Sequence, residues 1–308
     1  MSVELEHKLE RIPVIKHVVR FGKSIKLPFS EGLTLYHLTE LYITGIVKGD
    51  VSYRAGAIAF SFFMSLFPFA LFVLNLIPFI PVEGFEQDFM NFVAENVPPN
   101  TFEAIREILE DIMQNSYSSL LSVGIILAIL LMSNGINAIL SGFQSSLHIT
   151  IKRTYFRQYA LAIGLSLLMT LVLIVTVVAI VILEVVMQKL KSGGFLTDDV
   201  YLLEIGRYLF LTIMVLTITS LLFKFAARET REAAFFNYGS VFTTVLFVIT
   251  SYLFGIYVVR FAQYNKLYGS IGTLLVLMLY IWINCFILLL GFELNALIHK
   301  LKRKNLYI

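Results

Sequence analysis

The sequence predicts an all-α, polytopic membrane protein with six transmembrane helices and both termini in the cytoplasm. Of its 308 residues, 58% are hydrophobic and only 15% are charged, whereas a soluble domain carries about 25% charged residues. Six apolar runs are each long enough to cross a bilayer, which takes about 20 residues. These observations exclude a soluble globule, a disordered chain and a fibrous repeat.

Residues 1–54 form a predicted cytoplasmic N-terminal segment with amphipathic helical character. Its apolar residues, such as Leu5, Leu9 and Ile12, recur at helical spacing among eight Lys or Arg and six Asp or Glu residues. Basic amphipathic segments beside a span favour an anionic membrane surface. We therefore expect membrane lipids as partners of this segment. We expect no nucleic-acid partner, because the six acidic residues offset most of the charge of the eight basic residues.

Residues 55–298 form the predicted membrane domain, and residues 299–308 form a basic cytoplasmic tail. The six apolar runs are residues 55–81, 120–141, 159–187, 208–226, 238–259 and 270–298. The segments between these runs lie alternately on the two sides of the membrane. The side that holds the termini has 18 Lys and Arg residues, and the opposite side has six. Because positive loops stay in the cytoplasm, both termini are predicted to be cytoplasmic.

The first external loop, residues 82–118, is predicted to be an acidic helical cap over the outer mouth of the bundle. It carries eight acidic residues and one basic residue, and two apolar stripes at helical spacing flank Pro98 and Pro99. A packed cap is the plainer interpretation. A gate or a surface for a partner is the alternative.

Polar side chains form one stripe on each of the first two spans, in the half of the membrane nearer the cytoplasm. They are Ser61, Ser65, Pro68 and Asn75 in the first span and Asn134, Asn137, Ser141 and Gln144 in the second. Pro68 removes a backbone donor and is expected to kink its helix. Two stripes at one depth predict a shared hydrated cavity. The alternative is adhesion between helices through Ser and Asn hydrogen bonds.

Two charged residues lie at the cytoplasmic ends of the first and last spans. Arg54 precedes the first span, and Glu293 is the one acid within the sixth. Charges at this depth seek a partner or water, so an ion pair or a gate between these spans is predicted. The alternative is that each side chain independently snorkels to the headgroups.

The fifth and sixth spans begin alike, with Tyr238-Gly239-Ser240 and Tyr268-Gly269-Ser270. Free backbone N–H groups at such helix starts can attract an anionic headgroup. Interfacial helix caps with a Tyr anchor are the commoner explanation, and we favour it.

No enzymatic site is predicted. None of the five histidines forms an HExxH pair or another metal-binding spacing, and no nucleotide-binding or hydrolase motif is present. The single cysteine, Cys285, excludes an internal disulfide and a thiolate metal cluster. We therefore expect no catalytic residue, no metal and no cofactor.

Several stretches resemble the YihY/BrkB family of bacterial inner-membrane proteins. They are residues 54–60, continuing at 65–68, and residues 264–272, continuing through Trp282 to 289–296. The resemblance implies six spans, cytoplasmic termini and a link to serum resistance in a pathogen. It also carries an older label, ribonuclease BN, which the missing catalytic cluster does not support.

These features favour a transporter, or a translocator of lipid or amphiphile, that uses a polar cavity between the first, second and sixth spans. A small molecule or a lipid would then be the substrate, and assembly with further copies of the chain is left open. The alternative is an envelope scaffold or resistance factor that does not transport. A tRNA-processing ribonuclease is the least favoured.

Single cysteines in a Cys285→Ala background test the predicted topology. Cysteines replacing Ser116 and Asn265 should be labelled from outside intact cells by a membrane-impermeant maleimide, because both positions fall on the predicted outer side. Cysteines replacing Thr150 and Thr230 should react only after the cells are permeabilised. Labelling at Thr150 in intact cells would reverse the orientation.

Overall fold

A computed structural model describes residues 34–76, 84–96, 106, 110, 121–151, 153–192, 200–226, 234–261 and 270–306. Eight helices have described bounds. They are α1 (Leu35–Lys48), α2 (Val51–Leu76), α3 (Phe85–Asn96), α4 (Leu121–Gln144), α5 (Tyr155–Ser192), α6 (Val200–Ala226), α7 (Tyr238–Phe261) and α8 (Ser270–Leu306).

Six of these helices, α2 and α4 to α8, are long and apolar enough to cross a membrane. The predicted all-α membrane fold with six spans is therefore confirmed. The side of the membrane on which the termini lie stays a prediction.

The helices extend beyond the apolar runs that predicted them. The first span lies in a helix that begins at Val51 rather than at residue 55, and the basic tail continues α8 as far as Leu306. Helix α5 has 38 residues and a length of about 57 Å, nearly twice the hydrocarbon thickness. Apolar composition marks the part of a helix that lies in lipid, whereas hydrogen bonding sets where the helix ends.

A sharp turn separates α1 from α2. The N–H of Gly49 donates to the carbonyl of Gly45 at 2.9 Å, and Asp50 adopts a left-handed conformation with φ of 48°. Asp tolerates this region better than most residues because its short polar side chain can bond locally. The turn places Arg54 in the first turn of α2.

The chain divides into two compact units. The first contains Met1–Ala59, Ile139–Thr154 and Thr219–Ile308. Within it α7 packs along α8, α1 also packs on α8, and Phe143 stacks on Phe292 with ring centroids 4.2 Å apart. This unit holds Arg54, Glu293 and the start of α7.

The second unit contains Phe60–Ala138 and Tyr155–Ile218. Here the amphipathic helix α3, in the predicted outer cap, packs against α5, and the place of this cap over the outer mouth of the bundle stays a prediction. The second predicted cap helix lies outside the described residues except for Arg106 and Glu110. The Nε of Arg106 donates to Glu110 at 2.7 Å, a surface pair at i and i+4.

Candidate functional site

A buried ionic centre lies in the first unit, where the start of α2 meets α8. The Nη1 of Arg54 lies 2.8 Å from Oε1 of Glu293, and the two side chains are 9% and 1% exposed. The two residues expected to form an ion pair or gate are thus in direct contact, 239 positions apart in the sequence. Neither side chain snorkels to the surface as the alternative required.

Each group of this pair has further hydrogen bonds. The guanidinium of Arg54 also donates to the carbonyls of Gly49 at 3.0 Å and Gly142 at 2.8 Å. The second oxygen of Glu293 accepts a 2.6 Å hydrogen bond from the hydroxyl of Ser146. Arg54 therefore joins the end of α1, the end of α4 and the middle of α8. A buried ion pair is tolerated when its remaining donors and acceptors are satisfied in this way.

His148 adjoins the pair on the loop that follows α4. Its Nε2 lies 4.0 Å from Oε2 of Glu293, and its side chain is 10% exposed. Neither ring nitrogen has a hydrogen-bond partner among the described residues. Burial lowers the pKa of His148, the Glu293 carboxylate raises it, and Lys300 lowers it.

Tyr42 of α1 borders the centre from another side. Its hydroxyl donates to the carbonyl of Leu290 at 2.8 Å, which fastens α1 to α8 one turn before Glu293. Burial and then the negative charge of Glu293 raise the pKa of Tyr42. The phenol is therefore neutral throughout the physiological pH range.

The ionic centre thus consists of five residues: Tyr42, Arg54, Ser146, His148 and Glu293. Close packing shields it from water. A Cβ on Gly142 would overlap the Ile58 side chain, and Phe143, Phe223 and Phe292 form an aromatic cluster beside the charges. In such surroundings the attraction between the charges is stronger than in water, and so is the cost of leaving one unpaired.

The polar stripe of the first span lies in α2, within the second unit. Ser65 is buried, donates to the carbonyl of Phe62 at 2.8 Å, and packs so closely on Gly135 that a Cβ there would overlap its hydroxyl. Ser61 and Pro68 are half-buried, and α2 continues through Pro68. The Asn75 side chain lies outside the described residues. For Ser65 this is the arrangement that helix adhesion predicts.

The stripe of the second span, in α4, bonds to the third span and the following loop. Oδ1 of Asn137 accepts from Gln158 at 2.8 Å, and Oδ1 of Asn134 accepts from the Tyr159 hydroxyl at 3.2 Å. Such hydrogen bonds between neighbouring helices are those that the adhesion alternative describes, and the shared hydrated cavity stays a prediction. Ser141 is exposed, and Oε1 of buried Gln144 accepts from the N–H of Arg153 at 3.1 Å.

The start of α7 is a reciprocal cap in the first unit. The N–H of Ser240 donates to Oδ1 of Asn237 at 2.9 Å, and the N–H of Asn237 donates to the Ser240 hydroxyl at 3.1 Å. The helix-start donor of Ser240 is thereby satisfied, which favours the cap over an anion site. Tyr238 is exposed and Gly239 is buried. Tyr268 and Gly269 lie outside the described residues, and α8 begins at Ser270.

The ionic centre contains three residues that the sequence analysis did not single out. Ser146 and His148 lie on the irregular loop after α4, where helical periodicity gives no signal, whereas Tyr42 lies within the helix α1. The described residues contain no group of three His, Cys, Asp or Glu side chains that could hold a metal ion.

Comparison with known proteins shows the family of the chain. The model of the family described as virulence factor BrkB matches residues 42–306. The ribonuclease-like protein YfkH of Bacillus subtilis (strain 168) is 29% identical over 252 residues, which cover 81% of this chain and 90% of that protein. A UPF0761 membrane protein of Coxiella burnetii (strain Dugway 5J108-111) is 23% identical over 78% of this chain and 85% of its own length. No solved structure matches the chain.

Proposed function

The chain belongs to the BrkB family of membrane proteins, and from that premise we propose that it translocates a lipid or a lipid-like amphiphile across the bacterial inner membrane. In this proposal both termini face the cytoplasm. The ionic centre closes the cytoplasmic end of the path between the first, second and sixth spans.

The observation that carries this proposal is the buried carboxylate of Glu293. Ionisable groups within spans are costly, and they mark substrate and ion pathways more often than other positions do. Here the carboxylate of the sixth span is held by Arg54 of the first span and by Ser146 just after the second. Such an arrangement can open when these helices move apart, because its three groups come from three different helices or their ends.

A second observation favours an amphiphile over a small polar solute. Asn134 is exposed on α4 beside the exposed Leu130 and Leu131. The single hydroxyl proton of Tyr159 is shared between Oδ1 of Asn134 at 3.2 Å and the carbonyl of Leu130 at 2.9 Å. Polar atoms among exposed apolar side chains in the middle of a span suit a molecule that has both characters.

A vesicle assay tests the proposal. The purified protein is placed in liposomes that contain NBD-labelled phosphatidylethanolamine, and dithionite is added to bleach the outer leaflet. Vesicles with the protein should bleach beyond the outer-leaflet fraction, because inner-leaflet lipid reaches the surface. Bleaching equal to that of protein-free vesicles would contradict translocation and leave the scaffold alternative.

The double variant Arg54→Gln with Glu293→Gln tests the role of the ionic centre in the same vesicles. Its bleaching should be faster than that of the wild-type protein, since a weakened closure is open for more of the time. Gly255→Ala is the matched control, because nothing lies within 4 Å of the added Cβ. An unchanged rate in the double variant would remove the ionic centre from the path.

The ribonuclease name belongs to the Bacillus relative, and we do not extend it to this chain. A hydrolytic site built on Glu293 would need its carboxylate free to hold a metal or to activate water. Both oxygens of Glu293 already accept hydrogen bonds from Arg54 and Ser146. The ionic centre therefore favours closure over catalysis.

A further inference from the structure

We propose that His148 and Glu293 form a proton-binding site, in which the protonated imidazole becomes a second cation for the carboxylate that Arg54 already pairs. When the proton is bound, the stability of the ionic centre depends less on Arg54 than when the proton is absent. The role of this site in transport rests on the proposed function. Its test measures thermal stability and the titration of His148, neither of which requires transport.

The imidazole of His148 can accept a proton without losing a hydrogen bond. Both ring nitrogens are without a hydrogen-bond partner in the described part of the chain, although the side chain is only 10% exposed. Buried polar groups are normally bonded, so an imidazole without a partner calls for an explanation. A proton from solution that adds to the lone pair of Nε2 breaks no bond and places a donor 4.0 Å from Oε2 of Glu293.

Every element packed around His148 contributes to the balance. The carboxylate of Glu293 on α8 favours the proton, while Lys300 on the same helix and burial oppose it. Arg54 on α2 competes for the same carboxylate. From α1, neutral Tyr42 adds no charge, and Gly45 is so close that an added Cβ would lie 2.9 Å from Nε2. Burial is the largest of these effects and lowers the pKa of His148, so in the wild-type protein the site binds its proton only below the pH at which a histidine in water titrates.

Ser146 connects the proton site to the loop after α4. Its hydroxyl donates to Oε2 of Glu293 and accepts from the backbone N–H of His148 at 3.2 Å. A protonated ring that moves toward Oε2 competes with this hydroxyl for the same oxygen. Proton binding is therefore coupled to the position of the loop.

The test compares thermal stability at about pH 8 and about pH 5.5, on either side of the ordinary histidine pKa. Because burial lowers the pKa of His148, the wild-type protein should lose stability as the pH falls through this range. Arg54→Gln should be strongly destabilised at the higher pH. At the lower pH its deficit in melting temperature relative to wild type should shrink by about 2–4 °C. Protonated His148 would then replace the missing cation.

The control is Arg54→Gln combined with His148→Gln, with its deficit measured relative to His148→Gln alone, because both of these proteins lack the pH dependence that His148 contributes. If the deficit shrinks equally in this double variant, Glu293 itself takes the proton and the proposal is overturned. If Arg54→Gln does not fold, the wild-type protein with ring-labelled histidine decides by NMR. The His148 signal, identified by its absence in His148→Gln, should titrate with a midpoint below 6.5. No titration of that signal down to about pH 4.5 would overturn the proposal. Neither measurement depends on translocation, so its failure and that of the vesicle assay are distinguishable.

Discussion

Replacing either Arg54 or Glu293 with alanine should lower the free energy of unfolding by about 3–5 kcal/mol, the largest single-residue effect that we expect in this protein. The reason is the charge that stays behind. Glu293 is 1% exposed and Arg54 is 9% exposed, so neither can recover the water that it lost on burial. Thermal unfolding in detergent, read as melting temperature and as yield of folded protein, measures the effect.

The double alanine variant should lose clearly less than the sum of the two single losses. A double-mutant cycle gives the coupling, which should exceed about 1 kcal/mol because the two groups are in direct contact. Arg106→Ala with Glu110→Ala is the matched control, since that pair is similarly close at 2.7 Å but is exposed and should show a much smaller coupling. Additive losses at Arg54 and Glu293 would show that the two residues act independently.

Gly291→Ala should be the most damaging conservative change in α8. An added Cβ would overlap the Oγ1 of Thr243 on α7 and would lie 2.9 Å from the carbonyl oxygen of Gly239. Because one of these neighbours is backbone, α7 and α8 must separate to make room. We expect a loss of about 1–3 kcal/mol, the cost of overpacking a well-packed core, seen as a lower melting temperature.

The chain provides matched controls for this substitution. Gly255→Ala on α7 and Gly164→Ala on α5 add the same methyl group where nothing lies within 4 Å, and both should be neutral or slightly stabilising. Thr243→Ala removes the overlapping hydroxyl, so combined with Gly291→Ala it should recover part of the loss. A Gly291→Ala protein as stable as the Gly255→Ala protein would contradict the close approach of α7 and α8.

The membrane fold was predictable because long apolar runs have few alternatives to crossing a bilayer. The helix ends were not predictable from those runs. Helix α2 begins with Val51, Ser52 and Tyr53, and α8 ends in Lys302, Arg303 and Lys304. Polar residues continue a helix as readily as apolar ones once the first turns have formed.

Only part of the candidate site was predictable, namely the charged residues whose position at the end of a span is itself a signal. Arg54 and Glu293 were expected to meet because each is a charge at the inner end of a span. His148 and Ser146 were not expected, since their positions depend on the loop that follows α4. The amides of Asn134 and Asn137 bond to Tyr159 and Gln158, because hydrogen-bonding capacity alone does not determine which neighbour satisfies it.

The long separation between Arg54 and Glu293 has a consequence for biogenesis. Synthesis adds about 5–20 residues per second, so the 239 positions between the two residues take roughly 10–50 s. During that time the first span has entered the membrane and its arginine has no carboxylate to pair with. A nascent chain that stops before α8 lacks the Glu293 carboxylate, so among the described residues its arginine has only the carbonyls of Gly49 and Gly142 as partners. The buried charge of the first span is therefore neutralised only in the last stage of synthesis.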